Sequence, residues 1–422
     1  MNLELSRFGK KLCARTGILE LMDDLGVAMS GEQEFLMLGG GNPAGIPDVQ
    51  ALWRERVGDI LEHGTNLDEV LVNYDQPKGR PEFIRALVDF LNRHYGWGIT
   101  VKNVAITNGS QNAFFYLFNM LAGEFEDGSF RRVLLPLYPE YIGYADQGID
   151  RALFKAQKPN IEFIDDHTFK YHIDFDELSV GKDIAAICVS RPTNPSSNVL
   201  TNEEMEHLSA LARENGIPLI IDNAYGAPFP GIIFKEIDPF FDEHLIVSLS
   251  LSKLGLPGTR TGIVVANEQI IDALSSVNAV VSLANGNLGQ EIVTPLLVDD
   301  SILRLSHDVI RPFYEGKARQ GVAWLNEFLD DALPYYIHAS EGAMFLWLWC
   351  KDLPITAREL YERLKVRGVI VVPGHYFFFG NDDADWKHQD ECIRINHSQP
   401  DNVVKDGLRI IAEEVARAYA GV

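Results

Sequence analysis

Ser250-Leu251-Ser252-Lys253-Leu254-Gly255-Leu256-Pro257-Gly258-Thr259-Arg260-Thr261-Gly262 is the stretch on which the reading of this sequence turns. It follows an apolar β-like run, Leu245 to Leu249. A lysine just past a buried strand, in a loop with three glycines, hydroxyls and an arginine, suits one kind of chemistry. Its amine can form an imine with an aldehyde cofactor, and that attack needs the neutral amine. Ser250, Ser252 and Arg260 supply donors for a phosphate dianion, with the guanidinium as a planar charged fork. The plainer alternative is a surface loop with a solvated lysine.

Working outward, short apolar runs alternate with helical patterns, which predicts a mainly parallel sheet flanked by helices. Ala185 to Ser190 reads as one strand. Thr201 with Glu204 three residues on is a capping box opening a helix, and Gly216 sits past its end. Leu219-Ile220-Ile221 is the next strand, ending at Asp222. Polar residues therefore fall at the carboxyl ends of buried strands, where open α/β sheets place their ligand sites. The last third differs. Strand-like Ala343 to Leu348, Val369 to Val372 and Cys392 to Ile395, with helical patterns at Ala357 to Lys365 and Asp406 to Tyr419, suit a smaller α+β domain. The expected division is a large domain over 46–300 and a small one built from 1–45 and 301–422.

Three further segments carry chemistry. Thr107-Asn108-Gly109-Ser110-Gln111-Asn112-Ala113 follows the strand-like Val104 to Ile106 and opens an apolar helix. Small residues there expose backbone N–H groups to an anion, aided by the helix dipole; many ordinary strand-to-helix turns look the same. In Ile221-Asp222-Asn223-Ala224-Tyr225 a carboxylate ends an apolar strand, which is costly unless paired. A protonated pyridine nitrogen would pair with it and keep the ring an electron sink, although an Asp can also simply cap the next helix. Tyr225, and Asn194 in Ser190-Arg191-Pro192-Thr193-Asn194-Pro195, could donate to a phenolate oxygen; Asn-Pro is also an ordinary turn signal. Arg394, alone in the apolar run Cys392 to Asn396, reads either as a structural ion-pair partner or as a bidentate clamp on a carboxylate.

The chain has 422 residues, enough for two domains. Its hydrophobic fraction of 46% and charged fraction of 23% are those of an ordinary globular protein. With 37 basic against 60 acidic residues the net charge is −23, which argues against nucleic acid or an anionic membrane as partner. The basic residues are scattered, Lys10-Lys11 and Arg131-Arg132 being only pairs. Met1 to Arg7 lacks the pattern of a secretory signal, and no run approaches a membrane span. Cys13, Cys188, Cys350 and Cys392 form no CxxC pair, so thiols are expected rather than a disulfide or a metal site. A cytoplasmic protein is expected.

Taken in order, these segments resemble the fold-type I, aspartate aminotransferase-like enzymes that use pyridoxal 5′-phosphate (PLP). The resemblance runs from Leu38-Gly39-Gly40-Gly41-Asn42-Pro43 to the Arg394 strand. It implies that Lys253 carries the cofactor imine and then moves the proton. It implies also that Asp222 faces the pyridine nitrogen while Asn194 and Tyr225 hold the 3′-oxygen. Gly109, Ser110, Gln111, Ser250, Ser252 and Arg260 would bind the phosphate. Tyr138 would stack on the ring, with Tyr141 as runner-up, and Arg394 with the Gly41 backbone would hold the substrate α-carboxylate. Asn73-Tyr74-Asp75-Gln76-Pro77-Lys78-Gly79 resembles the segment whose tyrosine reaches the neighbouring subunit's phosphate, which implies a homodimer with shared sites. One departure stands out: where the family has Asn-Pro-x-Gly, this chain has Asn194-Pro195-Ser196-Ser197.

Pro139-Glu140-Tyr141-Ile142-Gly143-Tyr144-Ala145, Asp222 to Phe234 and Ser250 to Gly258 look most like the branch that passes an amino group from valine to pyruvate, giving 3-methyl-2-oxobutanoate and alanine. The absence of an evident second arginine clamp agrees with small, neutral substrates. Alternatives on the same scaffold are another transaminase for small neutral amino acids or a carbon–sulfur lyase. A regulator derived from this fold would need a DNA-binding domain, and too few residues precede Gly39. The side-chain pocket depends on how the segment around Thr16-Gly17-Ile18 closes over the site.

Overall fold

A computed structural model describes residues 4–14, 16–29, 35–62, 64–150, 152–380 and 386–422; Met1, Asn2 and Leu3 of the N-terminal stretch read above lie outside these. Its centre is a sheet in the order Val104–Thr107, Gly262–Val265, Leu245–Ser250, Leu219–Asp222, Ile184–Ser190, Phe130–Leu135 and Gly123–Glu124, with Phe154–Ala156 pairing alongside Phe130–Leu135. The four strands from Leu245–Ser250 to Phe130–Leu135 run parallel, while Gly262–Val265 runs antiparallel to both its neighbours. The mainly parallel sheet expected from the apolar runs is therefore present.

Both faces of this sheet are covered, which is why its strands read as unbroken apolar runs rather than alternating ones. One face carries Ile187, Val189, Ile221, Val247 and Leu249, in the same core as Phe83, Leu87 and Leu91 of helix Pro81–Tyr95. The other carries Ala186, Cys188, Ile220, Ile246 and Val264 against Phe114, Leu117 and Phe118 of helix Ser110–Leu121. Each such fully buried aliphatic or aromatic side chain contributes about 1.5–3 kcal/mol relative to exposure. The helix Asn202–Glu214 starts as its sequence requires: Thr201 accepts from Glu204 N–H, and the Glu204 carboxylate accepts from Thr201 N–H.

A second sheet has the order Val372–Pro373, Cys392–Asn396, Phe345–Cys350, Tyr335–His338, Thr168–His172 and Asn160–Phe163. Its last two strands come from the middle of the chain, so the hairpin 160–172 leaves the first sheet and completes the second. The segment Leu36–Met37 pairs in parallel with Val369–Ile370, and Tyr376 Oη donates to Glu20 of helix Gly17–Met29, which ties the N-terminal region to the C-terminal third. Several bounds differ from the sequence reading, and the run Val369 to Val372 is split into the strands Val369–Ile370 and Val372–Pro373, which belong to different sheets. The C-terminal helix begins at Asp401 rather than Asp406, and the apolar run from Ala343 becomes a strand only at Phe345, because Ala343 has a positive φ of 54°.

The missing glycine after Asn194 also finds its explanation. Ser197 occupies the left-handed region itself, at φ 61°, and its hydroxyl donates to the Phe345 carbonyl at 2.7 Å while its N–H donates to Thr193 O at 2.8 Å. A local hydrogen bond offsets the strain that a glycine would avoid. Ser197→Ala should therefore keep the strain, lose the bond and cost about 1 kcal/mol. Ser197→Gly should recover roughly the same amount by relaxing the backbone. Urea unfolding of the two variants beside the wild type checks the order Ala, then Gly, in rising stability.

Candidate active site

The carboxyl ends of the parallel strands bring the separate sequence segments together. Ser190, Asp222 and Ser248 lie in one register row across three strands, and Thr107, Gly262 and Ser250 in another. Lys253 sits in the turn Ser252–Leu254 directly after the last parallel strand. Trp53 pins that turn by donating from Nε1 to the Leu254 carbonyl at 2.9 Å.

Lys253 is half-buried, with Nζ donating to Gly41 O at 2.6 Å and standing 5.2 Å from the centre of the Tyr225 ring. Burial, then the charges of Arg394 and Arg260, lower its pKa to about 8, with Asp222 opposing them. The amine is thus held far closer to its neutral, nucleophilic form than a surface lysine.

Asp222 is buried and pairs with no lysine or arginine among the described residues. It accepts a short hydrogen bond from Tyr144 Oη and another from Ala224 N–H at 2.9 Å. Burial pushes its carboxyl up, while Tyr144, Ala224 and Lys253 pull it down. Sequence reasoning singled out Asp222 but missed Tyr144. The only available signal was that a buried carboxylate must find donors, and Tyr144 lies in a segment with no strand or helix of its own.

Arg394, 2% exposed, lies in strand Cys392–Asn396 with its guanidinium carbon 4.4 Å from the Phe345 ring centre and 5.3 Å from that of Phe377. Nη1 donates to Asn194 Oδ1 at 2.7 Å and Nη2 to Gly39 O at 2.6 Å, whereas the buried Nε has no partner. It makes no ion pair with any described carboxylate; burial lowers its pKa to about 10. Asn396 Nδ2 and Ser398 Oγ continue the row of donors along Gly40 O and Asn42 O, which fixes the Gly39–Asn42 segment against this strand.

Gly109, Ser110 and Gln111 lie at the start of helix Ser110–Leu121. The first amides of a helix have no intrahelical acceptor, and Gly109 at φ 84° brings no side chain to cap them. A Cβ on Gly109 would lie 2.1 Å from Arg260 Nη2, so the guanidinium comes as close as it does only because that residue has no side chain. The antiparallel strand passes equally close: a Cβ on Gly262 would lie 2.5 Å from Ser110 N. Ser250 Oγ accepts from Ser252 N–H at 3.1 Å, placing both hydroxyl residues at the same edge. Gln111 differs, because its side-chain amide donates to Gly143 O at 2.9 Å.

Tyr138 is buried in the core, with its ring 5.3 Å from Phe378 and 5.5 Å from Trp386. Tyr141 stands nearer the charged cluster: its hydroxyl feels the charges of Arg394, Asp222 and Arg260 and is pushed up by burial. Tyr225 is buried too, and its hydroxyl is likewise driven up by burial against the pull of Arg394. Tyr74 stands apart at 83% exposure and touches none of this within one chain.

A lysine poised for imine formation, an anion cradle, a buried carboxylate without a cation and a buried arginine without a carboxylate define an enzyme that handles amino acids through an aldehyde cofactor. The sequence matches the family model for class I and II aminotransferases over residues 49–411, and the chain belongs to that family. It is 48% identical, over 99% of both chains, to a valine–pyruvate aminotransferase of Escherichia coli. Among solved structures it is similar to a putative amino-acid aminotransferase from Psychrobacter arcticum, with a TM-score of 0.96 and 46% identity over the whole of both chains. The valine–pyruvate aminotransferase AvtA from Salmonella typhimurium matches with a TM-score of 0.88 and 47% identity, covering 96% of this chain and all of that one. The fold is also that of Thermus thermophilus aspartate aminotransferase, at 19% identity and a TM-score of 0.78. It is the aspartate aminotransferase-like fold type I. The cofactor of the family is PLP, and the residues present fit it: cradle for phosphate, carboxylate for the ring nitrogen, amine for the aldehyde.

The pKa of Lys253 is open to direct measurement. In PLP-free protein, labelling of Lys253 by an acylating reagent should rise with pH through about 8. Arg260→Gln removes a neighbouring positive charge, so the ammonium is stabilised and the midpoint should move up. A midpoint unchanged in Arg260→Gln would show that the arginine's charge does not reach the amine.

Proposed function

We propose that this chain moves amino groups between valine and pyruvate, making 3-methyl-2-oxobutanoate and alanine in a two-step ping-pong cycle. The observation that carries it is the grouping of Lys253, its pKa lowered to about 8, with Asp222, Tyr225 and Arg394 at one strand end. Full-length identity to a valine–pyruvate aminotransferase supports the choice of substrates. Bound PLP supplies the aldehyde carbon that takes up the amino group and the electron sink that makes the substrate α-proton acidic.

The protein's part is binding, orientation and proton movement. Arg394 offers its remaining N–H groups, with the Gly41 backbone, to the substrate α-carboxylate. Asn194 spends its oxygen on Arg394 and keeps Nδ2 as a donor toward the cofactor's 3′-oxygen, a task it shares with Tyr225. Asp222, held by Tyr144, faces the ring nitrogen. The backbone of Gly109, Ser110 and Gln111, with Ser250, Ser252 and Arg260, holds the phosphate, and Tyr141 covers the ring. Lys253 Nζ takes the proton from the substrate α-carbon and, in the return half-reaction, delivers one to it.

The large domain would comprise 46–300 and the small one 1–45 with 301–422, apart from the hairpin 160–172, whose strands lie in the second sheet. The working form is a homodimer in which Tyr74 reaches the partner's phosphate site. Support comes from its exposure alongside Leu71 and Val72, and from the hydrogen bond of Asn287 Nδ2 to Asn73 O, which brings this segment next to the loop bonded to Asn108. We place the enzyme in the cytoplasm: Cys13, Cys188, Cys350 and Cys392 are free thiols, which suits a reducing compartment. No helix among the described residues is long and apolar enough to cross a membrane.

Lys253→Ala should abolish turnover and the imine absorbance while the protein stays folded; full activity in that variant would sink the assignment. A donor and acceptor panel should give faster turnover with valine and pyruvate than with aspartate and 2-oxoglutarate. Mixing Lys253→Ala with Tyr74→Ala protein should raise activity above either alone, because each hybrid dimer regains one intact site. Simple averaging of the two activities would argue that the sites are not shared.

A further inference from the structure

Glu140 is the second carboxylate buried behind this site, at 1% exposure, and no cation pairs with it among the described residues. Both of its oxygens are committed. Oε1 accepts from Ser190 N–H at 2.9 Å; Oε2 accepts from Ser190 Oγ at 2.7 Å and from Tyr141 N–H at 3.0 Å. Its own N–H donates to Phe377 O at 2.9 Å, and the Phe377 ring lies beside the Arg394 guanidinium. Ser190 in turn ends the strand whose register partner is Asp222, and its carbonyl accepts from Thr193 Oγ1 at 3.1 Å, one residue before Asn194.

We infer that Glu140 is a positioning residue that joins the Tyr141 segment to the Ser190–Asn194 turn, so that the ring cover and the 3′-oxygen donor form one rigid wall. This rests on the reading above, in which Tyr141 and Asn194 contact bound PLP. The chemistry of the side chain carries the argument. Three donors converge on two oxygens, and a carboxylate accepts from all of them. A glutamine of the same shape has one acceptor oxygen and an NH2 group, which would face a backbone or hydroxyl donor and leave at least one buried donor unpaired. An apolar side chain could fill the space without the desolvation cost of a carboxylate, but it would hold none of the three. Burial pushes the Glu140 carboxyl up to about 7, with the Ser190 and Tyr141 donors opposing that shift and the Asp222 charge adding to it. Accepting from these three donors is thus what this group contributes to the site.

The test uses PLP-loaded dimer of the wild type, Glu140→Gln and Ser190→Ala. It reads the rate of PLP release and the induced circular dichroism of the cofactor band, with thermal melting as a check on folding. Glu140→Gln should release PLP roughly tenfold faster, as expected from stranding one buried donor, and its dichroic band should shrink. Ser190→Ala removes one of the three bonds and should move both readouts the same way by less. Wild-type release and an unchanged band in Glu140→Gln, even with a lower melting temperature, would make Glu140 merely structural and overturn the inference. If Glu140→Gln does not fold, an unchanged Ser190→Ala overturns it equally. A wild type that takes up no PLP defeats the site reading and this inference together, whereas a normal wild-type band with silent variants defeats only the role of Glu140.

Discussion

Asp222, Lys253 and Arg394 share the dry end of a parallel sheet, yet no two of them form an ion pair. Each is held by dipoles instead: a tyrosine hydroxyl and an amide on the aspartate, a backbone carbonyl on the lysine, a carbonyl and a side-chain amide on the arginine. Charges kept from neutralising one another in a poorly solvated place cost several kcal/mol each. That cost is what a ligand with complementary charges relieves. It follows that ligand binding stabilises the fold as well as the reaction geometry.

The sheet topology makes this separation possible. Ser190, Asp222 and Ser248 stand in one row across three parallel strands, and after Ser250 the chain turns through Lys253 into an antiparallel strand that passes under the anion cradle. The lysine is therefore fixed between two supports, Trp53 on one side and the strand beginning at Gly262 on the other. Arg394 arrives from the second sheet, and its bond to Asn194 is the link by which that sheet shares in the site.

What was legible in the sequence followed from strong local constraints. Apolar runs ending in polar residues marked the strands and their site-bearing ends, and the Thr201/Glu204 box marked a helix start to the residue. Lys253, Asp222 and Arg394 stood out because a charged residue at the edge of an apolar strand demands a reason. Tyr138 and Tyr141 could not be separated in that way. Both are aromatic and three residues apart in an irregular segment, and the sequence does not foretell that Tyr138 packs against Phe378 and Trp386. The same segment hid Tyr144 and Glu140, whose partners come from other strands. Ser197 was illegible for a different reason: its side chain does the work of a glycine through a bond to Phe345, far along the chain.

The hairpin 160–172 has a consequence for how the molecule is made. Its strands emerge from the ribosome early, but Thr168–His172 finds its neighbour Tyr335–His338 only after much of the remaining chain has been synthesised. Until then one strand offers an unpaired edge, the kind of surface on which nascent chains join one another. The interval between those two segments is thus the period when the growing chain most needs shielding. Premature termination between Val265 and Tyr335 leaves a first sheet with all its strands present and a second that lacks Tyr335–His338 and everything beyond it.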